Sequence, residues 1–383
     1  MKKKIVTALL LLSVFFTFTL ASSWASPSEK PLHKIIVFKQ GVDESIALKI
    51  IEKAGGSAKK SLRLINGQAV VLPSKTAEKA LADNPQVLRI DEDIVVTVSK
   101  VSRPVVVQPA QVLPWGIDRI DADVACEVYT GNAVKVAIID TGVDTDHPDL
   151  QANIKGGINT INPRKTYQDD NGHGTHVAGI IGAVNNNIGV VGTAPQVQIY
   201  AVKALDRNGS GYLSDIIEGL QWAINNNIQV INMSLGANTD VQSFHDAIKA
   251  VYNAGIIQVA AAGNDGPAEN SVDYPAKYPE TIAVSAINSS GQIASFSSRG
   301  PEVAVTAPGV DINSTWNTGF YKVISGTSMA TPHVTGTAAL VISARGPMTP
   351  DNMKAYLKST AENLGFSPNL QGAGLIDAQA AVQ

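Results

Sequence analysis

Residues 134–140 read VKVAIID, an apolar run interrupted only by Lys135 and closed by an acid. A strand with one wet face alternates apolar and polar side chains, whereas a strand covered on both faces has no need to. The run therefore predicts a buried parallel strand with Asp140 at its carboxyl end, the edge where open α/β sheets carry their reactive groups. QIYAVKAL (198–205), IQVINMS (228–234) and IIQVAAAGN (256–264) repeat the pattern. Between them, LSDIIEGLQWAINNN (213–227) and DVQSFHDAIKAVYNAG (240–255) have helical apolar spacing. From about residue 112 onward this alternation predicts an α/β domain with a mostly parallel sheet and helices on both faces.

Upstream, residues 34–94 read as a small α+β unit of βαββαβ order. KIIVFK (34–39) is a strand, DESIALKIIEKAG (43–55) a helix closed by glycine, and QVLRI (86–90) a last strand. Asn66-Gly67 between two apolar runs predicts a two-residue hairpin turn. The order fits the ferredoxin-like split βαβ pattern. DEDIVVTVSKVSRPVVVQPAQ (91–111) has two prolines by residue 109 and no helical period, and reads as an extended linker or a strand open to processing. The first residues carry three lysines, an apolar run from Ile5 to Leu20, and small residues at Ser23 and Ala25. That is the pattern of a secretory signal peptide cut after Ala25.

The 383 residues carry a net charge of −3 with 16% charged side chains, which leaves no electrostatic footprint for nucleic acid. The single cysteine, Cys126, excludes an intramolecular disulfide and reads as a small buried side chain. An exported protein without that staple often leans on bound calcium or on kinetic stability.

Three segments place reactive side chains where such a sheet exposes them. Asp140 ends the first strand, with Gly142 free to turn just after it in IIDTGVDTDHPDL. His173 sits in DDNGHGTHVAG at the start of an apolar helix over 174–184. Ser328 opens the helix SMATPHVTGTAALVISA, with Pro332 expected in its first turn. A neutral imidazole can take a serine proton, and a buried carboxylate can fix its tautomer. Asn264, at a strand end in AAAGND, is placed to donate to an oxyanion, as is the helix start at Ser328. His173 and His176 are spaced for a metal, but HGTH lacks the glutamate of HExxH. The α/β-hydrolase alternative needs GxSxG with the acid and histidine downstream of the serine. Here the stretch is GTSMA and both come first.

VAIIDTGVDTDHPDL, DDNGHGTHVAGIIGAV, INMSLG, AAAGN and SGTSMATPHVTGTAAL resemble, in order, the signature segments of the subtilisin family of serine proteases. The resemblance implies a secreted, self-processing endopeptidase in which Asp140 orients His173, His173 serves as base and acid, Ser328 attacks, and Asn264 donates to the oxyanion. It implies a signal peptide over 1–25, an inhibitory propeptide over 26–100 and a catalytic domain over 101–383. It also implies a peptide cleft along Ser210, Gly211 and Tyr212 on one side and Ser234, Leu235 and Gly236 on the other. Asp273 then falls at or near the base of the S1 pocket with Asp265 at its rim. Asp273 favours Lys or Arg at P1 if it faces the pocket, and leaves a broad apolar S1 if it faces solvent. Lys100 is the expected P1 residue of self-cleavage. A calcium site is implied at Gln111, Asp149, Val184, Asn186, Ile188 and Val190. Partners are protein and peptide substrates and the chain's own propeptide, with no membrane anchor after signal removal and a monomeric enzyme.

Overall fold

The computed structural model describes residues 30–98 and 109–383. The expected signal peptide and Lys100 lie outside that range. The N-terminal unit runs β1 (Leu32–Phe38), α1 (Glu44–Lys53), β2 (Ser57–Leu62), β3 (Gly67–Leu72), α2 (Lys75–Ala82) and β4 (Val87–Glu92). Its strands form an antiparallel sheet of order β2-β3-β1-β4, the split βαβ arrangement expected from the sequence. The two-residue hairpin at Asn66-Gly67 is not formed. A 3₁₀ turn over Arg63–Ile65 leads into Asn66, which alone takes the left-handed conformation at φ 50°, while Gly67 already belongs to β3. The longer connection lets Ile65 pack into an apolar cluster shared with the large domain. Asn66 secures it by donating Nδ2 to the carbonyls of Phe38 and Lys39 at 3.1 and 3.0 Å. A short strand, β5 (Val95–Thr97), follows the unit.

The large domain continues with α3 (Trp115–Arg119), α4 (Ala122–Ala125), β6 (Lys135–Asp140), β7 (Ile154–Asn159), α5 (His173–Gly182), β8 (Gln198–Lys203), β9 (Ser210–Tyr212) and α6 (Leu213–Asn225). Then come β10 (Val230–Met233), α7 (Gln242–Asn253), β11 (Ile257–Ala261), β12 (Ile282–Ile287), β13 (Val303–Pro308), the hairpin β14 (Ile312–Trp316) and β15 (Phe320–Ile324), and α8 (Thr327–Arg345). The short helices α9 (Pro350–Ser359), α10 (Pro368–Gln371) and α11 (Ala378–Val382) close the chain. Seven strands form one parallel sheet in the order β13-β12-β11-β10-β6-β8-β7. The chain fills one side of β6 with β7 and β8, then crosses to β10. That reversal opens a crevice at the carboxyl ends of β6 and β10.

Alternation along β6 divides the core. Val136 and Ile138 join the cluster that holds Val177 of α5 and Val334 of α8, while Ala137 and Ile139 join the one that holds Ile216 of α6 and Phe244 of α7. Each of the larger side chains here (Val, Ile, Phe), fully buried, contributes about 1.5–3 kcal/mol. Helix α8 is buried from Thr327 to Ile342, so it has no polar face to reveal it in the sequence. Pro332 is its sixth residue, in the second turn rather than the first. A proline there cannot donate to the carbonyl four residues back, that of Ser328. The Ser234 hydroxyl donates to that carbonyl instead, at 2.8 Å.

Candidate active site

Asp140, at the end of β6, and His173, the first residue of α5, meet in the crevice. His173 Nδ1 lies 2.8 Å from Asp140 Oδ1 and 3.0 Å from Oδ2, with both residues at most 1% exposed. The Thr141 amide also donates to Asp140 Oδ1, at 2.7 Å. Two glycines make the approach possible. At Gly142, φ is 104° and a Cβ would lie 2.4 Å from the Tyr167 carbonyl; at Gly172, φ is 115° and a Cβ would lie 2.2 Å from the Trp316 ring. The other ring nitrogen, His173 Nε2, is buried with no hydrogen-bond partner among the described residues.

Ser328 is the second residue of α8, where backbone N–H groups have no partner within the helix. Its hydroxyl is turned toward the Ser234 carbonyl, donating at 3.1 Å, and makes no hydrogen bond to His173. With the Ser234 hydroxyl on the Ser328 carbonyl, the two serines latch each other, and Asn232 Nδ2 supports the latch by donating to Ser234 Oγ at 2.9 Å. Asn264 is held against the same helix end. Its Oδ1 accepts from Thr327 N at 3.0 Å and from Thr327 Oγ1 at 3.1 Å, which fixes the amide with Nδ2 on the opposite side.

The expected cleft is filled from the N-terminal unit. β5 pairs antiparallel with β9, setting Val95 opposite Tyr212, Val96 opposite Gly211 and Thr97 opposite Ser210. Thr97 also bridges Gly236, and the Val98 amide donates to the Gly209 carbonyl at 2.8 Å. Beside this strand is a cavity of about 390 Å³ lined by Val98, Gly236, Asn264, Asp265, Asp273 and Ser328 among others. Asp273, half-buried, is one of the residues that line this cavity. Burial, with a further push from Asp265 and opposition from Lys277, raises its carboxyl to about 6.

The six residues expected at a metal come together around Asp149. Its carboxylate, fully buried, accepts from Asn186 Nδ2 at 2.7 Å, Val190 N at 2.9 Å and the Tyr321 hydroxyl at 2.9 Å, all neutral donors. Gln111 Oε1 accepts from Asn186 N at 2.5 Å, and the Val184 amide donates to the Asp149 carbonyl at 2.8 Å. Bridges from Ala110 to Ile188 and from Val112 to Val190 tie the segment before α3 to this loop. His176, by contrast, is no partner of His173 at a metal. Burial lowers its pKa to about 3, and its Nε2 is engaged by the carbonyls of Ile312 and Lys322 at 3.1 and 2.9 Å. Cys126 is half-buried rather than buried, donates to the Thr193 carbonyl at 3.2 Å, and has its thiol pushed up to about 12 by burial and then by Asp123.

Sequence reading missed Thr327, which orients Asn264, and the Ser234–Asn232 pair that holds the Ser328 hydroxyl. Polar residues on buried strands or helices were the signal, since each needs a partner. Among the described residues, no helix is long and apolar enough to cross a membrane.

Residues 131–374 match the Subtilase family. The chain is 44% identical to subtilisin E of Bacillus subtilis (strain 168) over 393 aligned positions, covering 100% of this chain and 99% of the relative. It is 41% identical to a thermostable alkaline protease of Halalkalibacterium halodurans, covering 98% of each chain. A subtilisin of Bacillus pumilus is 51% identical over 279 positions, which take in 72% of this chain and 100% of that one. With this fold and these matches, the chain belongs to the subtilase family and is a subtilisin-like serine endopeptidase.

Proposed function

We propose that this protein is made as a secreted zymogen and cleaves peptide bonds with Ser328 as nucleophile, His173 as general base and acid, and Asp140 as its orienting carboxylate. The observation that carries the reading is the buried contact of His173 Nδ1 with Asp140 at 2.8 Å, which turns Nε2 into the crevice as the proton acceptor. Rotation about the Ser328 side chain exchanges its bond to the Ser234 carbonyl for one to Nε2. Oγ then attacks the substrate carbonyl carbon, its proton passes to Nε2, and the C–O π pair moves onto oxygen. Asn264 Nδ2 and the Ser328 N–H stabilise that oxyanion. In a subtilisin, loss of one such donor costs about 2.7–4 kcal/mol of transition-state stabilisation. His173 next protonates the departing amine, and water repeats the sequence on the acyl-enzyme.

Residues 26–100 act as propeptide, with β5 in the cleft as an inhibitory strand, and residues 101–383 form the monomeric enzyme. Substrate enters in the same way, as a strand between Ser210–Tyr212 and Ser234–Gly236. Asp273 gives the S1 pocket a preference for Lys or Arg, which fits self-cleavage after Lys100. Calcium binds at Gln111, Asp149, Asn186 and the carbonyls of Val184, Ile188 and Val190. A buried carboxylate whose hydrogen-bond partners are all neutral leaves a negative charge that a hard divalent cation would balance, and the ion's contribution there would be to stability. A fluorophosphonate probe tests the core of the reading. It labels the processed wild-type enzyme and leaves Ser328→Ala unlabelled and unprocessed; labelling of Ser328→Ala would refute it.

A further inference from the structure

A second carboxylate lies behind the Asp140–His173 pair. Asp169 is 5% exposed and accepts five hydrogen bonds from protein donors. Its Oδ1 takes Thr141 Oγ1, Asn171 N and Gly172 N, each at 2.9 Å. Its Oδ2 takes Thr175 N at 3.0 Å and Thr175 Oγ1 at 2.6 Å. The donors fall in two groups. Thr141 follows Asp140 on the turn after β6, whereas Asn171, Gly172 and Thr175 flank His173. Thr141 Oγ1 closes the loop by accepting from Gly174 N at 2.9 Å. On the far side of the same turn, Lys203 Nζ donates to the Thr141 carbonyl at 2.6 Å and to Asp170 at 2.6 Å.

We propose that Asp169 is a positioning residue for the reaction: its buried carboxylate, with the Thr141 hydroxyl, locks the segment bearing Asp140 to the segment bearing His173 and so sets the geometry of their contact. The proposal rests on the triad reading above. Gln168 also joins the two segments, donating Nε2 to Asp144 Oδ1 at 2.7 Å and accepting from Thr145 Oγ1 at 2.6 Å, but farther along both from the Asp140–His173 contact. A neutral amide cannot replace the carboxylate. Both of its oxygens face backbone N–H groups, and asparagine offers one oxygen, so in either orientation its NH₂ meets a backbone donor. Burial raises the Asp169 carboxyl pKa, and the hydrogen bonds from Thr175, Gly172 and Asn171 to its charged form oppose that shift.

The test uses processed enzyme prepared from the full chain, with active sites counted by titration, for Asp169→Asn, Thr141→Val and Thr141→Ser. A misplacement of about 1 Å in a reacting geometry lowers rate roughly a hundredfold. Asp169→Asn is therefore expected to lose kcat on that scale with KM within about threefold of wild type. The pH profile separates positioning from mere stability. The charged or titratable groups facing the His173 ring are Asp140 and His176, and His176 is neutral in the working range. A loosened Asp140 contact stabilises the imidazolium less, so the acid limb of kcat/KM moves to lower pH as the plateau falls. Thr141→Val is the variant to read if Asp169→Asn does not fold. It removes one donor from Asp169 and the acceptor of Gly174 N, and should show the same two changes to a smaller degree. Thr141→Ser, which keeps the hydroxyl, should restore both. Folded Asp169→Asn or Thr141→Val enzyme with wild-type kcat and an unmoved acid limb overturns the proposal, as does Thr141→Ser behaving like Thr141→Val. If those variants match wild type while Ser328→Ala is dead, only the positioning role fails. If Ser328→Ala is active, the triad reading falls first.

Discussion

The seven-stranded sheet meets its own helices on both faces, with Val136 and Ile138 turned toward α5 and α8, and Ala137 and Ile139 toward α6 and α7. The four-stranded sheet is covered by its own helices on one face only. Ile36, Phe38, Val70 and Leu72 pack with Ile51 of α1 and Leu81 of α2. The opposite face, Ile35, Val37, Leu62 and Ala69, is buried in the cluster that contains Leu213, Ile216 and Phe244 of the large domain. Around that apolar centre the seam is polar. Asp93 accepts from Ser214 N and Oγ at the start of α6 at 2.9 and 2.8 Å, and Lys60 pairs with Asp215 and Glu218 at 2.7 and 2.6 Å. One sheet is self-sufficient and the other borrows half its cover, which supports the proposal that the N-terminal unit is a propeptide that guides folding and then leaves.

The largest effect should appear when the borrowed cover is withdrawn. Segment 30–98 expressed alone exposes Ile35, Val37 and Leu62, each worth about 1.5–3 kcal/mol when buried. The sum is comparable to the whole stability of a small domain. Circular dichroism should show it largely unfolded alone and folded on mixing with processed enzyme, whose own spectrum is unchanged by the loss of the segment. A cooperative melt of the isolated segment would break the comparison.

The large domain has full apolar cover but no disulfide, and the proposed calcium loop is its one added staple. At free calcium a hundredfold above Kd the ion contributes about 2.7 kcal/mol, which for a domain of this size is roughly 5 °C in Tm. Chelator should lower the melting temperature of processed enzyme by that order, and Asp149→Asn should do the same without chelator. Inactivation indifferent to both would remove calcium from the account.

A third test concerns what occupies the cleft once β5 departs. A charge-assisted bond from Asp273 to a P1 ammonium is worth about 1.5–3 kcal/mol, roughly tenfold to a hundredfold. Asp273→Ser should lower the Lys-to-Phe ratio of kcat/KM by that factor. The ratio also carries a pH signature, because whatever is common to both substrates cancels in it. Only ionised Asp273 attracts the ammonium, so the ratio rises with pH as the carboxyl loses its proton. Its pKa is about 6 with β5 in place. Removing β5 rehydrates the pocket, so the midpoint for free enzyme lies below that, toward the ordinary 3.8. A ratio flat from pH 4 to 7 and unmoved by Asp273→Ser would leave S1 apolar in function.

How much of this was legible in the sequence follows from the same physics. VKVAIID announced itself because a strand buried on both faces needs an unbroken apolar run, and Asp140 ended it. IKGGIN of β7 has two glycines in place of apolar side chains, and the runs of β12 and β13, six residues each like β6, are interrupted by Ser285 and Thr306. The hairpin β14–β15 carries Asn313, Ser314, Thr315 and Lys322, polar residues that leave no unbroken apolar run to read. Asp140, His173 and Ser328 are legible because each sits at an element's end, whereas Asn264, expected at a strand end, lies three residues beyond the end of β11 at Ala261. Asp169 reads in DDNGHG as one more loop acid, and the five donors that bury it come from residues 141 to 175, a pairing that no local pattern encodes. The Ser328–Ser234 latch was likewise hidden, because it depends on what Pro332 withholds across a helix turn.

The smallest effect should come from the rim of the seam. Arg89 pairs with Asp246 of α7 at 2.5 Å, with their side chains 26% and 34% exposed. At that exposure an ion pair is worth about 0.2–1 kcal/mol after screening, a factor of roughly five at most in an inhibition constant. Asp246→Asn keeps the shape and retains the acceptor for Gln242 Nε2, now 2.9 Å away, while Arg89 keeps Asp91 at 2.9 Å. Inhibition of processed Asp246→Asn enzyme by segment 30–98 should therefore weaken by less than about fivefold. The difference from wild type should vanish by 1 M salt, where the screening length is about 3 Å. A loss of a hundredfold, or one that persists at high salt, would mean that charge rather than borrowed apolar cover holds the two sheets together.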